Sequence, residues 1–117
     1  MQKVTKMIMG KPHVAIVITN GFGMGWSTEC QNPVQAQKAL FSPETVDWVL
    51  AGKPADSIPD FKLLFSDDGS GQHLYFSDCG ANRLEVAWIP VGQQFVIEEY
   101  EGEEGIAWLE HFWIFTA

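Results

Sequence analysis

The stretch from His13 to Thr28 constrains this chain most. It opens with His-Val-Ala-Ile-Val-Ile-Thr, an unbroken apolar run of the kind that forms a strand buried on both faces. It continues as Asn-Gly-Phe-Gly-Met-Gly-Trp-Ser-Thr, with Gly21, Gly23 and Gly25 on alternate positions. A buried strand feeding a glycine-rich loop is a common place for a site, because backbone N–H groups there can approach a ligand closely.

The loop fits neither nucleotide fingerprint. A dinucleotide fold needs its third glycine three residues after the second, and Trp26 stands at that position. A P-loop ends in Gly-Lys-Ser/Thr; Ser27 and Thr28 are present, but no lysine precedes them. What remains is a general anion-binding nest, with Asn20 and Gly21 suited to a tight turn. The candidate ligand- or partner-binding residues are therefore Asn20, Gly21, Phe22, Gly23, Met24, Gly25, Trp26, Ser27 and Thr28. Trp26 is the expected main contact, through its apolar area. The competing expectation is that Phe22, Met24 and Trp26 point inward and the glycines only permit a tight path.

The rest of the chain divides into short elements. Val4 to Met9 reads as a first strand, joined by Gly10-Lys11-Pro12 to a second at Val14 to Thr19. Pro33 to Leu40 is a short helix with Asn32 as N-cap. Ser42 and Pro43 open another helix, with Val46, Val49 and Leu50 on one face and Gly52 at its stop. Phe61 to Phe65 reads as a further short helix, and Asp67 to Gly71 as a solvent turn. Strands are expected at His73 to Ser77, Leu84 to Ile89, Phe95 to Tyr100 and Ile106 to Thr116. Pro90-Val91-Gly92 should close a hairpin that pairs Phe95 to Tyr100 with Leu84 to Ile89, while Glu103 to Gly105 prolongs a loop. The sum is an α+β fold: one domain over residues 1–117, a mostly antiparallel sheet, and one or two short helices packed on one face. Fifteen aromatic residues are generous for one small core, so a second copy is expected over the opposite face as a homodimer.

The glycine loop, the helix from Leu40 to Gly52 with Trp48, and the run Trp88-Ile89-Pro90-x-Gly92-x-x-Phe95-x-Ile97-x-Glu99-Tyr100-x-Gly102 together resemble a group of small proteins of tailed phages and bacterial mobile elements. The likeness covers the chain from about Val14 onward. It implies a biological setting and no particular activity.

Charge narrows the partners. Fifteen acidic residues stand against seven basic ones, for a net charge of -8. Phosphate contacts need clustered Lys and Arg, so direct nucleic acid binding is not expected. No apolar run approaches a membrane span, and no signal core opens the chain, so a soluble, cytoplasmic protein is expected. Glu98, Glu99, Glu101, Glu103 and Glu104 form the densest charge cluster, either solvated surface or a face for a basic protein.

Chemistry-bearing residues are sparse. Cys30 and Cys79 fit reduced thiols better than a disulfide framework. His13, His73 and His111 share no metal-ligand spacing, and no motif calls for a cofactor or metal. Two function classes result. One is a non-enzymatic binding protein acting on a host protein or a small signalling molecule. The other is a small hydrolase or transferase using Ser27 or Cys30 with a histidine. An acidic nucleic-acid mimic is a third reading.

Overall fold

The computed structural model describes residues 2–21, 25–30, 32–61, 81–107 and 115–117. Strand β1 (Thr5–Ile8) pairs antiparallel with β2 (Lys11–Thr19), with Ile8 opposite Lys11. Met9 and Gly10 make the two-residue turn, at φ 50° and 80°. Positive φ at both central positions is the type I′ geometry that suits a twisted hairpin. The turn thus sits earlier than Gly10-Lys11-Pro12, and Pro12 belongs to β2.

β2 is the spine. Every residue from Val14 to Thr19 is buried, as the apolar run demands. Its second neighbour is β3 (Leu84–Pro90), which lies antiparallel with Val17 opposite Val86. Helices α1 (Pro33–Phe41) and α2 (Pro43–Leu50) pack onto this sheet.

A second antiparallel sheet holds β4 (Gln94–Tyr100) between β5 (Glu103–Ala107) and the short β6 (Phe115–Thr116). The fold is therefore α+β with antiparallel pairing in both sheets. The expected β3–β4 hairpin does not form. Gly92 does adopt positive φ, at 84°, and Gln93 N donates to Pro90 O at 3.1 Å. Pro90 is the first residue of this turn. The turn then carries the chain to another sheet, where β5 and β6 take both edges of β4, and the second edge of β3 has no strand partner among the described residues.

The helices follow their end signals. The Asn32 side chain accepts from Gln35 N at 2.9 Å, with Pro33 in the first turn. Only Ser42 separates the two helices, so they form one bent rod. Ser42 occupies the N-cap of α2 without making a side-chain cap bond; its hydroxyl donates to Glu44 Oε2 at 2.9 Å. At the far end Gly52 N donates to Val49 O and Lys53 N to Trp48 O, the paired bonds of a Schellman stop, with Gly52 at φ 93°. The buried face of α2 is Thr45, Val46 and Trp48, whereas Leu50 is exposed. Leu50 is the last residue of α2, one turn beyond the buried Val46.

The core runs continuously from β2 through the helices to the second sheet. Phe41 meets Phe95 edge-on at 6.4 Å, and Phe95 packs on Phe115 at 5.7 Å. Among the described residues no helix is long and apolar enough to cross a membrane. The helix expected at Phe61 to Phe65 beyond its first residue, the turn at Asp67 to Gly71, the strand at His73 to Ser77 and most of the strand after Ala107 lie outside the described residues.

Candidate functional site

The loop that follows β2 is held at both ends by charge. At its start the chain's only arginine, Arg83, donates to the carbonyls of Asn20 at 3.1 Å and Gly21 at 2.7 Å. Gly21 turns there at φ 83°. At its end the chain meets Glu104. Glu104 Oε2 accepts from Trp26 N at 2.8 Å, Thr28 N at 3.0 Å and Thr28 Oγ1 at 2.6 Å. Glu104 Oε1 accepts from Thr19 N at 3.1 Å. A cation on backbone carbonyls and an anion on backbone N–H groups are the two strong, charge-assisted ways to hold a loop.

The local geometry explains why Glu104 reaches the loop. Tyr100 stands opposite Glu103, with Glu101 and Gly102 between them at φ 51° and 91°. That type I′ turn starts β5 at Glu103, where a loop was expected. Side chains alternate along a strand, so Glu103 faces solvent and Glu104 faces inward on the side of Ile97 and Phe95. Glu104 is only 4% exposed. It does not belong to the solvated glutamate cluster expected at this hairpin.

Thr19 joins the same knot. Ala15 N donates toward β1, to Val4 O, and the two-residue period of the strand puts Thr19 N on that side as well. β1 pairs only as far as Val14, so Glu104 supplies the missing acceptor. The Thr19 hydroxyl donates to Gly102 O at 2.6 Å and so fixes the turn before Glu104.

Gly25 is required by this approach. A Cβ there would collide with Thr28 Oγ1 and stand 3.1 Å from Glu104 Oε2. The anion-binding nest expected from the sequence thus holds an anion, and the anion is the protein's own.

Trp26 is fully buried, which removes it as an exposed contact. Its ring meets Phe61 edge-on at 5.0 Å, and Phe61 in turn meets Trp48 at 6.0 Å. Its Nε1 donates to Ala39 O at 3.0 Å. That carbonyl is available because its helical partner four residues on is Pro43, which has no N–H. Burial of the large ring outweighs any gain from leaving it in solvent.

The nucleophile candidates are also inside. Ser27 is 2% exposed, and its hydroxyl makes no hydrogen bond among the described residues. Cys30 is buried, and its thiol donates to Trp26 O at 3.8 Å. His13 sits near the opposite end of β2, roughly 20 Å along the strand from Thr19. Among the described residues no cluster of three or more metal-ligating side chains occurs. Phe22, Gly23, Met24, Cys79, His73 and His111 lie outside the described residues.

A concavity absent from the sequence reading lies beside α2. It is an open cleft of about 540 Å³ lined by Glu44, Asp47, Trp48, Ala51, Pro54, Ser57, Pro59 and Asp60. Trp48 Nε1 donates to Pro54 O at 2.9 Å, which folds the segment after Gly52 back across the helix and forms the second wall. Three acidic residues and four apolar ones contribute to its lining. The signal was present in the sequence as a Schellman stop followed by Pro54 and Pro59, which bends the chain back without continuing a helix.

No family model, curated protein or solved structure matches this chain.

Proposed function

We propose that the protein is a small non-enzymatic binding protein of phage or mobile-element origin, and that it acts on a host protein by taking a basic segment into the cleft beside α2. The observation that carries this reading is the cleft's lining. Three acidic residues, Glu44, Asp47 and Asp60, line it together with the apolar Trp48, Ala51, Pro54 and Pro59. A lysine or arginine side chain matches that pattern, because its methylene stem covers apolar surface while its charge meets carboxylates. A net charge of -8 favours encounter with a basic partner.

The inward placement of Ser27 and Cys30 supports binding over catalysis, because a nucleophile must touch its substrate. The glycine loop then serves the site indirectly. It anchors Trp26 against Phe61, and Phe61 backs Trp48 at the cleft floor.

The test is an NMR titration of the labelled protein with a lysine- and arginine-rich decapeptide. Saturable shifts at Asp47, Trp48, Ala51 and Asp60 that weaken in high salt are expected, and Asp47→Lys should reduce them. Absence of saturable shifts at these positions, in protein that is otherwise folded, would overturn the reading.

A further inference from the structure

The two hairpin tips of the molecule carry opposite charge at opposite ends of β2. At the Lys11 end lie two of the seven basic residues, Lys6 and Lys11. The same end exposes apolar side chains: Met9 is 98% exposed, Met7 64% and Val91 49%. These belong together spatially. Met7 pairs with Pro12, and Val91 N donates to Pro12 O at 3.0 Å, so Met7, Pro12 and Val91 lie side by side across β1, β2 and the turn after β3. Lys6 lies over the Trp88 ring at 4.4 Å, on the other face of the same hairpin. Among the described residues the outer edge of β1 has no strand partner.

At the Thr19 end lies the β4–β5 tip, tied there by the bond from Thr19 Oγ1 to Gly102 O. Glu98, Glu99, Glu101 and Glu103 are all exposed on it, and Tyr100 beside them is 70% exposed. The nine residues of β2 separate the two tips by about 26 Å, in a molecule whose longest extent is 37 Å. Neither tip can neutralise the other within one chain.

We infer that the methionine–lysine tip of one copy receives the glutamate–tyrosine tip of a second copy, in a head-to-tail contact. Charge complementarity selects this occupant: the hairpin tip carries Lys6 and Lys11 on the face opposite Met7 and Pro12, and the same chain presents a carboxylate-rich tip carrying an exposed aromatic. Methionine is well suited to the apolar part, since its flexible thioether packs favourably against aromatic rings. The contact joins two different surfaces, so it is heterologous and propagates beyond a dimer unless the rotation closes a ring. It does not depend on the cleft beside α2, and the two proposals fail separately.

Sedimentation velocity on the full chain tests it. At 50 mM salt the average mass should rise with concentration above the 13.1 kDa of one chain, and at 500 mM salt it should return to that value. Lys6→Glu with Lys11→Glu, and separately Glu98→Lys with Glu101→Lys, should each give a monomer, since the first opposes like charges and the second cancels the net negative charge of the glutamate tip. An equal mixture of the two variants should associate again. Met9→Ser, at a fully solvated position, should weaken association about tenfold without lowering the melting temperature. A wild-type monomer at all concentrations would overturn the inference. So would failure of the mixture to associate while both variants melt as the wild type does. Rescue of the lysine variant by Glu44→Lys with Asp47→Lys would move the contact to the cleft and equally overturn it. Sedimentation of the monomer with anionic lipid vesicles, lost in Met9→Ser, would assign the tip to a lipid surface instead.

Discussion

Glu104 Oε2 stands 2.8 Å from the backbone nitrogen of Trp26, a residue 78 positions earlier in the chain. One carboxylate thereby joins the end of the glycine loop, the last residue of β2 and the second sheet. Replacing it isolates buried donors. Glu104→Gln keeps the shape but removes the charge, and its amide nitrogen cannot accept. Hydrogen bonds to a charged acceptor contribute about 1.5–3 kcal/mol each, and they are not additive. A loss of about 2–4 kcal/mol is expected, read as a lower urea midpoint with an unchanged slope. Glu103→Gln, next door and exposed, should leave the midpoint within about 0.5 kcal/mol of wild type.

Gly25 and Gly21 separate crowding from backbone strain. Gly25→Ala places a methyl group against Thr28 Oγ1 and the Glu104 carboxylate. It should destabilise by about 2 kcal/mol or more, because the carboxylate must move off its donors. Gly21→Ala meets open space at φ 83° and should cost only about 1 kcal/mol. Equal thermal shifts for the two would mean that the loop approaches Glu104 less closely than the geometry states.

Trp26 is the loop's main contribution to stability. Trp26→Ala should cost about 3–5 kcal/mol, as expected for a deleted core aromatic. Trp26→Phe keeps most of the packing but leaves Ala39 O without its donor, so its cost should exceed 1 kcal/mol while staying well below that of alanine. Chemical denaturation of the pair gives both values.

The two helix starts should respond differently. Asn32→Ala removes a cap bond to Gln35 N and should cost about 1 kcal/mol. Ser42→Ala removes only a bond to Glu44, for about 0.5 kcal/mol or less, because no helical N–H loses its acceptor. A larger loss at Ser42 than at Asn32 would reverse this assignment.

Ser27→Ala provides the opposite sign. Its hydroxyl is buried and makes no hydrogen bond among the described residues, so removal relieves a desolvated polar group. The melting temperature should stay level or rise, by an amount equivalent to at most about 1 kcal/mol. A clear fall would mean that the hydroxyl has a partner.

Much of the fold was legible because it depends on neighbours. The apolar run Val14 to Thr19 specified a strand covered on both faces. Asn32 with Pro33 marked one helix start, and Gly52 marked a stop through the positive φ that only glycine adopts cheaply. Gly92 marked a turn for the same reason. Each rests on sterics or capping within a few residues. Whether β4 would turn back on β3 was not legible, since the choice depends on which strand edges are already paired.

The site was legible only in part. The nest of N–H groups was visible in the glycine spacing, but its anion was not. Glu103 and Glu104 are adjacent and chemically identical, yet one is solvated and the other is buried against the loop. Strand parity separates them: a register slip of one residue would exchange the two faces. The two-residue turn at Glu101-Gly102 sets that parity, and the core contacts of Phe95 and Ile97 decide which face is inside. Local chemistry therefore determined the turns, the caps and the buried strand. Only tertiary packing decided that Trp26 goes inward and that Glu104 serves as the loop's own anion, because both depend on contacts far apart in the chain.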